Sequence, residues 1–177
     1  MTCVSSGVTI VSIKFPWIWT GLLHTIRRRF WFSLVIHFKV NNLFNDSQYG
    51  FIKGKSTYLQ LLSVLDKWTK ALDDGGQIDV IYTNFVKAFD KVPHRRLISK
   101  LKSYGINSGI IKWIEAFLLA RKQTVRINSS LSEWQSAISG IPQGSVLGPL
   151  LFVIYINDMP DLIEQFAQWV YLQMMPK

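Results

Sequence analysis

The sequence has a single cysteine, Cys3, and only three histidines. One thiol cannot form an intramolecular disulfide or a Cys-rich metal site, so we expect a reducing compartment, cytoplasmic or nuclear. His24, His37 and His94 show no metal-ligand spacing, and none of them is assigned to a metal.

The sequence also lacks an uninterrupted apolar run of membrane-spanning length. Residues 8–38 form the most apolar segment, but Lys14, His24 and Arg27–Arg29 interrupt it before about 18 apolar residues accumulate. Its cations follow the apolar run, which is not the order found in a signal peptide. We expect no membrane span and no firm membrane partner. Association of this apolar and basic segment with a membrane surface stays open as a weaker alternative.

Acidic residues are outnumbered, with 11 Asp and Glu against 20 Lys and Arg and a net charge of +9. Ten of the cations fall between Lys87 and Arg126, where Asp90 and Glu115 are the only acids. Such a field attracts polyanions, nucleic acid first, although a solvated basic face is the alternative. With 49% hydrophobic residues, the 177-residue chain has enough apolar surface for one domain core.

The middle of the chain carries clear local signals. A turn-rich stretch, residues 41–56, precedes apolar residues at helical spacing, which predict a helix of about four turns closed by Gly75 and Gly76. These apolar residues are Leu61, Leu65, Trp68 and Leu72. Next, "IDVIYT", residues 78–83, predicts a short buried strand that ends at Asn84.

The second half predicts two helices, a hairpin and an apolar helix. Pro93 fits the first turn of a helix that Gly105 ends, and Asn107 or Ser108 can cap the next helix. The first of these helices has Leu97, Ile98 and Leu101 on one face. "KQTVRIN" and "LSEWQSAIS" predict two strands joined by a turn, and "GIPQGSVLGPLLFVIYIND" predicts a loop running into an apolar helix. The order of elements indicates an α/β or α+β fold.

Two minor motifs have ordinary structural interpretations. "GFIKGKST", residues 50–57, is one residue short of a phosphate-binding P-loop, and the stretch before it is a poor strand. A basic turn that caps the next helix through Ser56 or Thr57 fits better. Asp73 and Asp74, directly before two glycines, read as a solvated turn rather than a metal pair.

Three segments in order resemble one enzyme family. "YTNFVKAFDKVPH", residues 82–94, and "SGIPQGSVLGPLLFVIYIND", residues 139–158, resemble motifs A and B of reverse transcriptases, closest to the non-LTR (LINE-type) retrotransposon group. "NNLFNDSQYGFIKGKST", residues 41–57, resembles the fingers segment that precedes motif A in that family. The resemblance covers about residues 40–163.

The resemblance implies a right-hand polymerase, an RNA-directed DNA polymerase that uses Mg²⁺, an RNA template and a DNA primer. The chain would then hold an incomplete palm and fingers without a thumb. The fingers would span about residues 39–76 and 93–138, and the palm about 77–92 and 139–160. Residues 1–38 are unassigned, and 161–177 form a divergent tail.

The resemblance also assigns the site residues. Asn84 stands where motif A has a metal-binding Asp, and Phe89 matches the aromatic beneath the sugar of the incoming nucleotide. Asp90 matches a second motif A acid that is not a metal ligand. Gln143 and Gly144 match residues that line the nucleotide pocket. The candidates for nucleic-acid binding are Lys53, Lys55, Arg95, Arg96, Arg121 and Lys122, of which Lys53 and Lys55 read equally well as plain solvated lysines.

Departures from the family pattern predict an inactive chain. Mg²⁺ favours carboxylate oxygens, and the neutral amide of Asn84 removes a charge where two cations would be held. The family's second aspartate cluster, [FY]-A-D-D in motif C, is replaced after "MPDLIEQ" by "FAQWVYLQMMPK". No metal site is expected intact, so a decayed polymerase fragment is the first hypothesis. A non-catalytic basic module that binds nucleic acid is the alternative.

Overall fold

The chain forms two compact units. One comprises Met1–Leu43 and Lys87–Tyr155, and the other comprises Phe44–Val86 and Ile156–Lys177. The computed structural model describes residues 3–5, 8–14, 23–81, 85–119, 121–127 and 130–163. The helices within these ranges are α1 Leu23–Val40, α2 Thr57–Asp73, α3 His94–Ser103, α4 Ser108–Leu119, α5 Gly148–Ile156 and α6 Met159–Ile163.

An antiparallel sheet lies in the first unit. Its strands are β1 Cys3–Ser5, β2 Val8–Lys14, β3 Lys122–Ile127, β4 Ser130–Leu131 and β5 Gln135–Ser136. The order is β1-β2-β3-β4, and β5 also pairs with β3. The predicted hairpin is confirmed, with its second strand divided between β4, where Leu131 pairs with Arg126, and β5, where Ser136 pairs with Lys122.

The core of the first unit is built by helices. Side chains with no exposed surface come from α1, α3, α4 and α5, and full burial of each contributes roughly 1.5–3 kcal/mol to folding. They are Leu34, Phe38, Leu97, Leu101, Ile114, Leu118, Leu151, Val153 and Ile154. The predicted face of α3 is thus confirmed.

Helix α1 lies in the segment that the sequence left unassigned. Three arginines followed by three aromatic residues, at 27–32, obscure its helical period. Its second half nevertheless places Leu34 and Phe38 one turn apart in the core. Across the described ranges, no helix combines the length and the apolar character needed to cross a bilayer.

Local end signals fixed several helix boundaries as predicted. Ser56 Oγ accepts the Leu59 amide at 3.3 Å and caps α2. Asn107 Oδ1 accepts the Gly109 amide at 2.8 Å before α4. Gly105 follows α3 with φ +71°, which a glycine adopts without steric cost. Pro93 precedes α3 directly instead of lying in its first turn.

The strand predicted at residues 78–83 is not formed where it is described. Residues 78–81 have no strand assignment, and Val80 and Ile81 are 44% and 85% exposed. Residues 82–84 lie outside the described part of the chain. A strand needs a partner for its backbone hydrogen bonds, and none of the described strands pairs with this segment.

Helix α2 is confirmed, but its apolar side is not its buried side. Leu61, Leu65 and Leu72 are exposed, whereas Gln60 and Val64 are buried. Periodicity located the helix correctly, while the neighbouring elements determined which side faces the protein. Asp73 and Asp74 are exposed at its end, as expected for a solvated turn.

Candidate functional site

Two segments distant in sequence meet through backbone hydrogen bonds. The Gly140 amide donates to Val92 O at 2.9 Å, and the Ile141 amide donates to Phe89 O at 2.8 Å. The Ser139 hydroxyl adds a bond to Asp90 O at 2.9 Å. The structure therefore brings residues 89–92 and 139–141 together, and each segment lies in one of the two sequence motifs.

Gly140 is necessary for this close approach. Its φ is +83°, and a Cβ placed on it would lie 2.7 Å from Asp90 O and 2.8 Å from Asp90 Cα. Both neighbours are backbone atoms, which cannot move aside as a flexible side chain would. A side chain at residue 140 would separate the two segments.

A tight turn presents the next residues to solvent. The Ser145 hydroxyl donates to Pro142 O at 2.7 Å, and Ser145 Oγ accepts the Gly148 amide at 3.0 Å at the start of α5. Between these anchors lie Gln143 and Gly144, both exposed, with φ +71° at Gly144. The turn thus offers a ligand a planar amide and an uncovered stretch of backbone.

Asp90 and Phe89 are oriented by neighbouring side chains. Gln143 Nε2 donates to Asp90 Oδ1 at 3.2 Å, which ties the two motifs through side chains as well. The half-buried ring of Phe89 stacks on Phe152 of α5, with centroids 4.6 Å apart and planes inclined by 26°. Such a pair is worth about 0.5–1.5 kcal/mol beyond its burial, and it sets the position of the Phe89 ring.

The carboxylates of the described site are few. Asp90 is the only acid in residues 85–94 and 139–148, and no group of three or more metal-ligating side chains occurs among the described residues. Asn84, which the resemblance assigned to the motif A metal position, lies outside the described residues.

The basic candidates are divided between the two units. Arg95, Arg96 and Lys122 are exposed in the first unit. Lys53 is exposed in the second unit. Lys55 is half-buried there, where its Nζ donates to Asp46 O at 2.6 Å and lies 5.1 Å from the Tyr49 ring centroid.

Arg121 differs from its expected place on the basic surface. It is 6% exposed, and it donates through Nε to Leu118 O at 3.1 Å and through Nη2 to Gly140 O at 2.5 Å. Burial lowers the pKa of Arg121 below its ordinary value, and the charge of Asp90 acts in the opposite direction. This guanidinium forms its hydrogen bonds inside the protein, so it is not exposed to a phosphate.

His94 also contacts the Gly140 carbonyl, and the sequence patterns did not predict this contact. It is 4% exposed, and its Nε2 lies 2.8 Å from Gly140 O. Burial lowers the pKa of His94 below 6.5, and the nearby Arg121 charge lowers it further, whereas the backbone contact with Gly140 raises it. No signal in the sequence links residues 94, 121 and 140, because they meet only in the folded chain.

The family of this chain is identified by its match to a known sequence pattern. The sequence pattern of the family described as "Reverse transcriptase (RNA-dependent DNA polymerase)" matches residues 28–175. The chain belongs to the reverse transcriptase family. The resemblance drawn from the sequence motifs is confirmed, and the match extends beyond residues 40–163 at both ends.

Curated relatives agree with this assignment. The chain is 35% identical over 121 residues to the probable RNA-directed DNA polymerase from transposon BS of Drosophila melanogaster, covering 65% of this chain and 13% of that protein. It is 34% identical over 116 residues to the corresponding protein of transposon X-element from the same species, covering 66% and 13%. The RNA-directed DNA polymerase from mobile element jockey of Drosophila funebris is 33% identical over 114 residues, covering 64% and 12%.

These relatives place the chain among reverse transcriptases of non-LTR elements. The family has a palm-and-fingers polymerase fold, and the mixture of helices and a small sheet in the described residues is consistent with part of it. The chain spans about an eighth of the length of the relatives it matches.

Proposed function

We propose that this chain is a catalytically inactive portion of the palm and fingers of an RNA-directed DNA polymerase. The observation that carries the proposal is the pairing of residues 89–92 with residues 139–141. It groups Phe89, Gln143 and Gly144, the residues expected to contact a nucleotide. This grouping supports a nucleotide-facing surface like the one expected from the family.

The metal chemistry is not retained alongside it. Reverse transcriptases use a divalent metal, which favours carboxylate ligands. In the described site the one carboxylate is Asp90, which is bonded to Gln143, and the expected metal position carries Asn84. These residues do not fit a pair of Mg²⁺ ions.

The second aspartate cluster supports the same conclusion. The family match extends to residue 175 and includes Phe166-Ala167-Gln168-Trp169. We propose that this tetrapeptide stands in place of the [FY]-A-D-D pattern, with an amide and an indole instead of the two aspartates. Neither group supplies an anionic oxygen, so we propose that the chain binds no Mg²⁺ productively.

Primer extension tests the proposed inactivity. The purified chain, given a primed RNA template, deoxynucleotides and Mg²⁺, should give no product above background. Asn84→Asp alone should also stay inactive, because Gln168 and Trp169 still lack carboxylates. An EDTA-sensitive product that a Gln143→Ala preparation fails to make would contradict inactivity. Sustained synthesis by Asn84→Asp would contradict the assignment of Gln168 and Trp169.

A second candidate function is non-catalytic binding of RNA or DNA. Eight of the ten cations between residues 87 and 126 are exposed, while Lys100 and Arg121 donate to backbone carbonyls. The exposed side chains are Lys87, Lys91, Arg95, Arg96, Lys102, Lys112, Lys122 and Arg126. Their positive charge supports the binding of a polyanion, which needs no metal.

The salt dependence of binding tests this candidate. Each phosphate contact with a single strand contributes about −0.7 to the slope of log K against log salt. Replacing Arg95, Arg96 and Lys122 together with Gln should therefore reduce the slope by about 2. The matched control replaces three exposed lysines elsewhere, Lys39, Lys67 and Lys70, and so changes the net charge equally. Equal losses in the two triple variants, or binding insensitive to salt, would count against a local binding surface.

A further inference from the structure

His94 and Arg121 converge on one backbone atom, Gly140 O. His94 Nε2 lies 2.8 Å from it, and Arg121 Nη2 lies 2.5 Å from it. A carbonyl oxygen only accepts hydrogen bonds, so the His94 contact is a hydrogen bond when the imidazole carries its proton on Nε2. Arg121 Nη2 also lies 3.4 Å from this nitrogen. Both side chains are more than nine-tenths buried, which makes these bonds stronger than they would be in water.

Arg121 is also held by a second backbone carbonyl, and Asp90 lies near its charge. Arg121 Nε donates to Leu118 O, the last turn of α4, and this bond fixes the guanidinium plane. The negative charge of Asp90 attracts Arg121 and favours the charged form of its guanidinium. His94 Nδ1 is buried without a hydrogen-bond partner. Burial and the nearby Arg121 charge both oppose a second proton on His94, whereas the backbone contacts with Gly140 and Ser139 favour it.

Hydrogen bonds therefore hold both peptide groups that flank the Gly140 Cα. Its amide bonds to Val92 O, while its carbonyl accepts from His94 and Arg121. The next fixed point along the chain is Ser145, bonded to Pro142 O. Gln143 and Gly144 lie between these two points, so the hold on Gly140 sets one end of the turn that carries them.

We propose that His94 and Arg121 are positioning residues that hold the 139–145 loop in the conformation that presents Gln143 to a nucleotide. This inference rests on the proposed nucleotide-facing role of the loop. A loop already in its binding conformation avoids the ordering cost that a mobile loop would incur on binding. Arg121 thus acts on nucleic acid through the backbone of the loop, without touching a phosphate.

Amide hydrogen exchange of the full-length chain tests the hold directly. Arg121→Met keeps an unbranched apolar stem without the guanidinium donors, and His94→Leu removes the second donor. Each should speed exchange of the amides of residues 140, 141 and 143–145 by about tenfold, the effect of losing one buried hydrogen bond. Peptides from α1 and α2, which contain none of the bonded residues, serve as internal references. His94→Gln, whose Nε2 is also a donor, should retain most of the protection.

Binding of a primed RNA template, followed by fluorescence anisotropy, is the second measurement. We expect about tenfold weaker binding for Arg121→Met and His94→Leu, with recovery in His94→Gln. Lys39→Gln, at an exposed cation outside the proposed binding surface, serves as the charge control and should leave loop exchange unchanged.

The outcomes separate the inference from the proposed function. Unchanged loop exchange, or equal acceleration in every peptide, overturns the positioning role, because the second pattern shows general destabilisation. Selective loosening of the loop with weaker binding supports it. Selective loosening in a chain whose parent form does not bind the template supports the hold on the loop and overturns its nucleotide-facing role.

Discussion

His94 is predominantly neutral in the folded chain at pH 7, because burial and Arg121 lower its pKa below 6.5. Below about pH 6.5 the unfolded chain binds a proton at this residue that the folded chain does not yet bind. The free energy of unfolding should therefore fall as the pH drops from 6.5, and this contribution should level off once the pH passes below the folded-state pKa. Urea unfolding at a series of pH values between 7.5 and 5 measures this slope.

The matched variant is His94→Gln, which keeps a donor for Gly140 O and cannot titrate. Its unfolding free energy should fall less steeply over the same interval, and the difference from the parent chain isolates the histidine. Identical slopes for the two proteins would show that His94 does not carry the effect. Asp90 and Arg121, the charged groups of this cluster, are unchanged in both proteins.

The residues of the site differed in how far the sequence could predict them. Gln143 and Gly144 belong to a contiguous motif, and the structure places them in one exposed turn beside Phe89 and Asp90. The burial of Arg121 was not predictable from the sequence. An arginine is expected to be solvated unless the distant residues that pair with it in the folded chain are known.

Among elements, the close contact of the 139–141 segment with residues 89–92 gives the sharpest prediction. Gly140→Ala introduces a methyl group 2.7 Å from Asp90 O in addition to the strain of a positive φ. Strain alone costs about 1–2 kcal/mol, so the free energy of unfolding should fall by more than about 3 kcal/mol when the clash is added. Urea unfolding measures the loss.

Gly105→Ala is the control for this comparison. Gly105 has a similar φ, +71°, but a methyl group there would meet nothing within 4 Å. Its substitution should show the strain term alone, about 1–2 kcal/mol. If the two variants lose the same stability, the contact between the two segments is not as tight as their hydrogen bonds indicate.

Elements with local signals were predictable, and those that depend on partners were not. Ser56, Gly105 and Asn107 mark helix ends through bonds or dihedral angles within a few residues, so α2, α3 and α4 were predicted from sequence. The segment at 78–81 has strand-forming residues but no described partner strand. The β propensity of a segment describes how well it fits a sheet, and it cannot supply the sheet.

On the scale of the whole molecule, the positive charge and the exposed apolar surface respond oppositely to salt. The net charge of +9 attracts nucleic acid and makes copies of the chain repel one another, and salt screens both effects. Meanwhile α2 exposes an apolar side in the second unit, a kind of surface that promotes association. Its exposed residues are Tyr58, Leu59, Leu61, Leu62, Leu65 and Leu72.

Self-association through α2 should therefore strengthen with salt, under the conditions in which binding of nucleic acid weakens. Replacing Leu62 and Leu65 with Gln should reduce association and change the unfolding free energy by no more than about 0.5 kcal/mol per site, since both side chains are exposed and Gln favours helix. Sedimentation velocity over a range of protein and salt concentrations measures the association. The control, Val64→Ala, alters a buried position of the same helix, so it should lower stability by about 1–3 kcal/mol without reducing association. Association that weakens with salt, or that persists undiminished in the Leu62 and Leu65 variant, would mean that charge or another surface holds the copies together.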